Sequence, residues 1–169
     1  MTNDPAAPSL PAGYVPGVIG RIAELHARHY AESHGFGVYF EAKVACELGE
    51  FLKRFDPARD HFRTVLVGGR VEGSIAIDGS AHEGDIAHLR WFLLSDELRG
   101  TGLGRRMLSE AITFCRTTGF REVYLWTLGD LHAAMRLYRD FGFQVSEEIA
   151  GAQWGRTAHE FRMVLRLAG

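Results

Sequence analysis

Cysteine is scarce in this chain of 169 residues, with Cys46 and Cys115 the two present. Both fall in helix-like stretches, with no paired framework and no metal-type spacing around them. That excludes a disulfide scaffold and reads both as reduced core thiols of a cytoplasmic protein. Long apolar runs are missing as well. None approaches the roughly 18 residues of a membrane span, and the N-terminus lacks a signal-peptide pattern. Charge of one sign is not in excess: the net charge is −2. The chain as a whole attracts neither nucleic acid nor an anionic membrane, so any basic site must be local. Proline is concentrated at the start, with four of the five, Pro5, Pro8, Pro11 and Pro16, in the first 17 residues. That segment has little periodicity and reads as a tail, which leaves residues 18–169 as one domain of ordinary size.

What is present is an ordinary globular mixture, 46% apolar and 24% charged, arranged in clear periods. Apolar residues at helical spacing predict helices over about 19–32 and 39–54. The period then changes. Two β-rich runs, 62–67 and 71–78, flank Gly68-Gly69-Arg70 and read as a hairpin. A longer strand, 85–95, is followed by glycines and a helix from about 105 to 117, whose Met107, Leu108, Ala111, Ile112 and Cys115 form one stripe. A strand at 122–127, a helix at 131–140 and a closing strand pair at 143–148 and 159–167 complete the order. Early strands joined by turns and later strands joined by helices specify an α/β fold, a mixed sheet with helices on both faces.

The segment most informative about function is Arg99-Gly100-Thr101-Gly102-Leu103-Gly104-Arg105, set between a strand and a helix. Glycines let the backbone approach a ligand closely. The first helix amides have no internal partner and, with the helix dipole, suit phosphate oxygens. Arg99, Arg105 and Arg106 add local positive charge. A dinucleotide fingerprint would need glycine at position 105 and an acidic residue after the next strand, where Trp126 and Thr127 stand. The triphosphate loop G-x-x-x-x-G-K-[ST] is also missing. The bland alternative is an ordinary strand-to-helix turn that uses glycine for packing.

The turn does not stand alone. Arg99-x-x-Gly102-x-Gly104 resembles the R/Q-x-x-G-x-G/A signature of the GCN5-related N-acetyltransferase (GNAT) superfamily. The stretch 134–143, Ala-Met-Arg-Leu-Tyr-Arg-Asp-Phe-Gly-Phe, resembles that family's A-x-x-L-Y-x-x-x-G-F segment. The resemblance spans residues 62–167. Segments 40–45, 89–92 and 154–155 are further similar to the acetyltransferase half of bacterial fusions with a MarR-type regulator, although no DNA-binding domain is expected in the 17 residues ahead of the fold.

The resemblance implies a central sheet of about six or seven strands with about four helices. It implies acetyl-CoA as co-substrate, with no metal, and transfer of the acetyl group to a primary amine of a small molecule or peptide. A non-catalytic acyl-CoA sensor is the alternative. Amides of Gly100, Thr101, Gly102, Leu103 and Gly104, with Arg99 and Arg105, would hold the pyrophosphate. Phe92, Leu93 and Leu94 would pair with the pantetheine arm in a slot beside the strand at 122–127. Tyr138 would protonate the departing thiolate, although a tyrosine so near a helix end is more commonly a half-buried core residue. Leu131 stands where many members carry an asparagine that binds the arm.

Acetyl transfer needs a deprotonated amine. Two bases are candidates: His88, on the central strand, and Glu41, on the second helix. Their bland alternatives are a structural histidine and a solvated carboxylate. By the period of two, His88, Arg90, Phe92 and Leu94 share one face of that strand. Glu41, Arg90, Trp126 and Trp154 are expected around the acceptor. His26 and His29 sit at a spacing that could share a metal, but a third ligand would have to come from a loop. A homodimer is the default oligomer.

Overall fold

The computed structural model describes residues 7–81 and 84–167. Helices α1 (Val18–His34) and α2 (Val38–Lys53) precede strands β1 (His61–Val67), β2 (Arg70–Asp78) and β3 (Ile86–Leu94). Helix α3 (Leu103–Thr118), β4 (Glu122–Leu128), α4 (His132–Asp140), β5 (Gln144–Gly151) and β6 (Ala158–Arg166) follow. The strands make one sheet in the order β1-β2-β3-β4-β6-β5. Short turns give antiparallel neighbours on both sides of the sheet. The single parallel pair, β3 with β4, lies where α3 carries the chain back across the sheet.

Each face of the sheet has its own core. On one face the α3 stripe Met107, Leu108, Ala111, Ile112 and Cys115 is buried against Val123, Leu125 and Met163. On the other, Ile22, Phe40, Val44, Leu48 and Phe51 of α1 and α2 pack on Phe62 and Trp91. Burial pushes the Cys115 thiol up to about 12, which makes it a poor nucleophile. Cys46 corrects the expectation of two core thiols, because it lies on the exposed side of α2.

The proline-rich start is more than a tail. Ser9 and Ala12 bridge to Leu66 and Arg63, and the Ser9 amide donates to the Leu66 carbonyl at 3.0 Å. These residues cover part of the outer edge of β1, a common way to keep a strand edge from pairing with another chain. Among the described residues no helix is long and apolar enough to cross a membrane.

Candidate functional site

The sheet is open at its centre. β3 and β4 pair at three positions, Ile86 with Glu122, Ala87 with Val123 and His88 with Tyr124, and then part. The fork coincides with a bulge in β3. Its register against β2 passes from Ala76↔Arg90 to Ser74↔Leu93, so Ile75 alone faces Trp91 and Phe92. Trp91 takes φ 45°, a left-handed conformation that costs a bulky residue of order 1–3 kcal/mol. The surroundings hold it there. The Ser74 hydroxyl donates to the Trp91 carbonyl at 2.6 Å inside the core, the ring packs against Phe51, and Arg90 lies 4.1 Å over it.

The bulge also reverses the side-chain alternation. Ala87 and Leu89 pack with the α3 core, yet so do Phe92 and Leu94. His88 and Arg90 therefore do not share a face with Phe92 and Leu94, as an unbroken period of two implies. The fork widens into a cavity of 880 Å³.

At one mouth of this cavity lies the glycine turn. Gly100 and Gly102 have φ 74° and 84°, a region that glycine enters without the Cβ penalty. A Cβ on either would meet nothing within 4 Å, so it is backbone conformation that calls for glycine here. Among the described residues, no protein group accepts from the amides of Gly100, Gly102, Gly104 or Arg105. Thr101 turns its hydroxyl inward to the Leu98 carbonyl at 2.8 Å. Arg99 closes the end of β3, donating to the Leu94 carbonyl at 3.2 Å and to His29 Nδ1 of α1 at 3.2 Å. Arg105 pairs with Asp140 of α4. The turn thus presents unused N–H groups at a helix N-terminus beside two guanidinium groups, the arrangement an anion requires.

The reacting end lies deeper. Tyr138 of α4 is buried, with its ring between Phe92 and Phe143. Burial, and secondarily the neighbouring Tyr30, raise its phenol above the ordinary tyrosine range. Tyr30 stands in a ring cluster with His29, His34, Phe36 and Phe40.

A family model for the acetyltransferase (GNAT) family matches residues 21–143, the stretch that contains the fork, the glycine turn and Tyr138. This chain belongs to the GNAT acetyltransferase family. An N-acetyltransferase of Methanocaldococcus jannaschii, itself uncharacterized, is 25% identical over 132 residues, 76% of this chain and 57% of that protein. An uncharacterized N-acetyltransferase of Escherichia coli, YjgM, is 34% identical over 103 residues, 60% of this chain and 58% of that one. The chain therefore matches little more than half the length of these two relatives. Among solved structures, yncA of Salmonella typhimurium, determined with its cofactor acetyl-CoA, superposes with a TM-score of 0.70 at 19% identity, covering 97% of this chain and 96% of that one. The six-stranded mixed sheet and four helices described above are thus a GNAT fold.

The residues that the sequence nominates mostly converge in this GNAT chain. Phe92, Leu93, Leu94, Arg99, Gly100, Gly102, Gly104, Arg105 and Tyr138 line the cavity, as do His88, Arg90, Trp126 and Trp154. His88 stacks on Tyr124 with 4.2 Å between ring centroids. Thr101 and Leu103 are outside the lining, and Leu103 packs against the α3 core. Glu41 is a correction: it is exposed on α2 and does not reach the cavity. Glu47, six residues further along the same helix, does. Periodicity places Glu47 nearly two turns on from Glu41, but nothing in its immediate surroundings singles it out.

Two more residues, both on α1, line the cavity in places the sequence did not assign to them. His26 is buried in the lining and donates Nδ1–H to the Ile22 carbonyl at 2.9 Å. Burial lowers its pKa to about 4, so it is neutral at pH 7. Tyr30 of the same helix also lines the cavity. With His26 tied to a carbonyl and His29 to Arg99, the pair at metal spacing is spent on other bonds. Among the described residues no group of three or more metal-ligating side chains occurs.

Proposed function

We propose that this chain transfers the acetyl group of acetyl-CoA to a primary amine by direct attack in a ternary complex. The carrying observation is the row of unused amides at Gly100, Gly102, Gly104 and Arg105, opening onto a forked sheet edge. A diphosphate fits the amides, and an extended amide-bearing arm fits the unpaired edge of β3 beyond His88. Backbone groups at Phe92–Leu94 pair with that arm, and an amide near Leu93 polarises the thioester carbonyl.

The proton steps belong to two side chains. His88 accepts the proton of the attacking amine, directly or through water. As the nitrogen–carbon bond forms, the carbon–sulfur bond breaks and Tyr138 gives its proton to the departing sulfur. Holding the two reactants together supplies on the order of 7–11 kcal/mol of barrier lowering. The cavity continues past the fork to Gln153 and Trp154, which gives an acceptor room and favours an enzyme over a sensor that only binds the thioester.

Gly102→Val tests the reading. A Cβ at φ 84° strains the turn by about 1–2 kcal/mol and pushes a branched side chain toward the incoming phosphate. Because nothing lies within 4 Å of that Cβ, the fold survives. Acetyl-CoA binding by calorimetry is expected to disappear, and unaltered affinity overturns the phosphate assignment.

A further inference from the structure

The acceptor half of the cavity carries a charge imbalance that narrows the choice of amine. Beyond the phosphate-facing Arg99 and Arg105, its charged lining residues are Lys43, Glu47 and Arg90. Glu47 is the one carboxylate there among the described residues, and it is already engaged from both sides. Lys43 reaches it along α2 at 2.5 Å, and the Arg90 guanidinium reaches it from β3. Arg90 also faces Asp78, which is completely buried and takes its closer bond, 2.6 Å, from Arg54. The buried Asp60 also acts on Arg54, so Arg54 is answered inside the core by Asp78 and Asp60 together. At the cavity wall itself two cations, Lys43 and Arg90, meet one carboxylate, Glu47, which leaves the excess positive charge on the cavity side.

This arrangement is preorganised. The Arg90 side chain is only 19% exposed, and its guanidinium is fixed over Trp91 and braced by two carboxylates. A planar guanidinium carries five N–H donors in a fork that matches a carboxylate, and two of its nitrogens are used here. Rigid cations of this kind favour an anionic ligand group, since little further entropy is lost on binding. The same charges repel a second ammonium group, for which no unengaged carboxylate lines the cavity among the described residues. Arg90 lies two residues beyond His88, at the start of the fork, so a group bound to it sits next to the thioester end of the slot.

Resting on the acetyltransferase reading above, we propose that the acceptor carries a carboxylate close to its amine, as an α-amino acid does. The carboxylate is seated on Lys43 and Arg90, and an apolar side chain lies among Trp126, Trp154, Phe36 and Phe40. Polyamines and other multiply cationic amines are disfavoured by the same charges.

The test uses matched pairs that differ only in the carboxylate: L-phenylalanine against phenethylamine and L-methionine against 3-(methylthio)propylamine, with spermidine as the polyamine. Thiol release from acetyl-CoA gives kcat/KM, and calorimetry on the CoA-loaded protein gives affinity for the N-acetylated form of each. The acids are expected to exceed their decarboxylated partners at least tenfold in one or both readouts. Lys43→Gln, a change at a partly exposed position, is expected to erase about tenfold of that preference with acetyl-CoA affinity unchanged. Arg90→Lys, which keeps the charge and loses the fork, is expected to weaken it further. Equal or better use of phenethylamine or spermidine overturns the proposal and leaves the acetyltransferase reading intact, as does failure of either N-acetyl compound to bind. Loss of acetyl-CoA binding in the unsubstituted protein overturns the parent reading instead.

Discussion

A phenol as deeply buried as that of Tyr138 holds its proton well beyond the pH at which free tyrosine releases it, because burial penalises the phenolate. As the proposed general acid it therefore stays protonated and neutral throughout the neutral and mildly alkaline range. Tyr138→Phe is expected to lower kcat by about 10²–10⁴ while acetyl-CoA affinity stays nearly the same; an unchanged kcat rejects the acid role. Because the shift is upward, activity is expected to show no alkaline decline from this group below about pH 10. Tyr138 was legible in the sequence because a motif surrounds it. Tyr30 and Glu47 were not, since each sits at an unremarkable helical position, and His26 stood out only for its spacing to His29; all three become cavity residues only when α1 and α2 fold across the sheet. Glu41 illustrates the converse: it shares a helix with Glu47, but the rotation of that helix points it to solvent.

At the scale of elements, β3 is the instructive case. Its limits followed from composition to within a residue, and so did its central place in the sheet. The inserted residue at Trp91 did not. A period-of-two pattern carries no sign of one extra position, and tryptophan is among the last residues expected at positive φ. What holds the bulge is Ser74, on a different strand. Ser74→Ala leaves the Trp91 carbonyl buried without its donor, at a cost of about 1–3 kcal/mol. Thermal denaturation is expected to show a lower Tm, and steady-state kinetics a higher KM for acetyl-CoA, since the same residues shape the fork. No change in either would mean that the bulge is held by ring packing alone. The glycine turn behaved in the opposite way. Its spacing was readable because positive φ selects a residue type, whereas a bulge filled by a large side chain leaves no such signature.

For the molecule as a whole, two histidines, His26 buried and His61 half-buried, contribute to the response to acid. His26 and His61 both titrate near 4 in the folded chain, burial being the main cause and Arg63 adding to it for His61. Unfolded, each would take up a proton near pH 6.5. Between those values the unfolded chain binds more protons than the native one, so stability falls as pH drops from about 6.5 toward 4. For His26 the loss is on the order of 3 kcal/mol. Denaturant unfolding at pH 7 and pH 4.5 measures it, and His26→Gln is expected to flatten the difference; an undiminished pH dependence in that variant assigns the effect elsewhere.

The three-position junction between β3 and β4 also has a mechanical meaning. Four of the six strands belong to antiparallel hairpin ladders, β1–β2 and β5–β6, and among the described residues the strand pairing between the two halves of the sheet is confined to the closed end of the seam, while the core beneath α3 spans both halves. Any extended molecule laid in the open end becomes, in effect, the missing rungs. In the proposed complex, binding would then continue the hydrogen bonding of the seam past the point where the strands part.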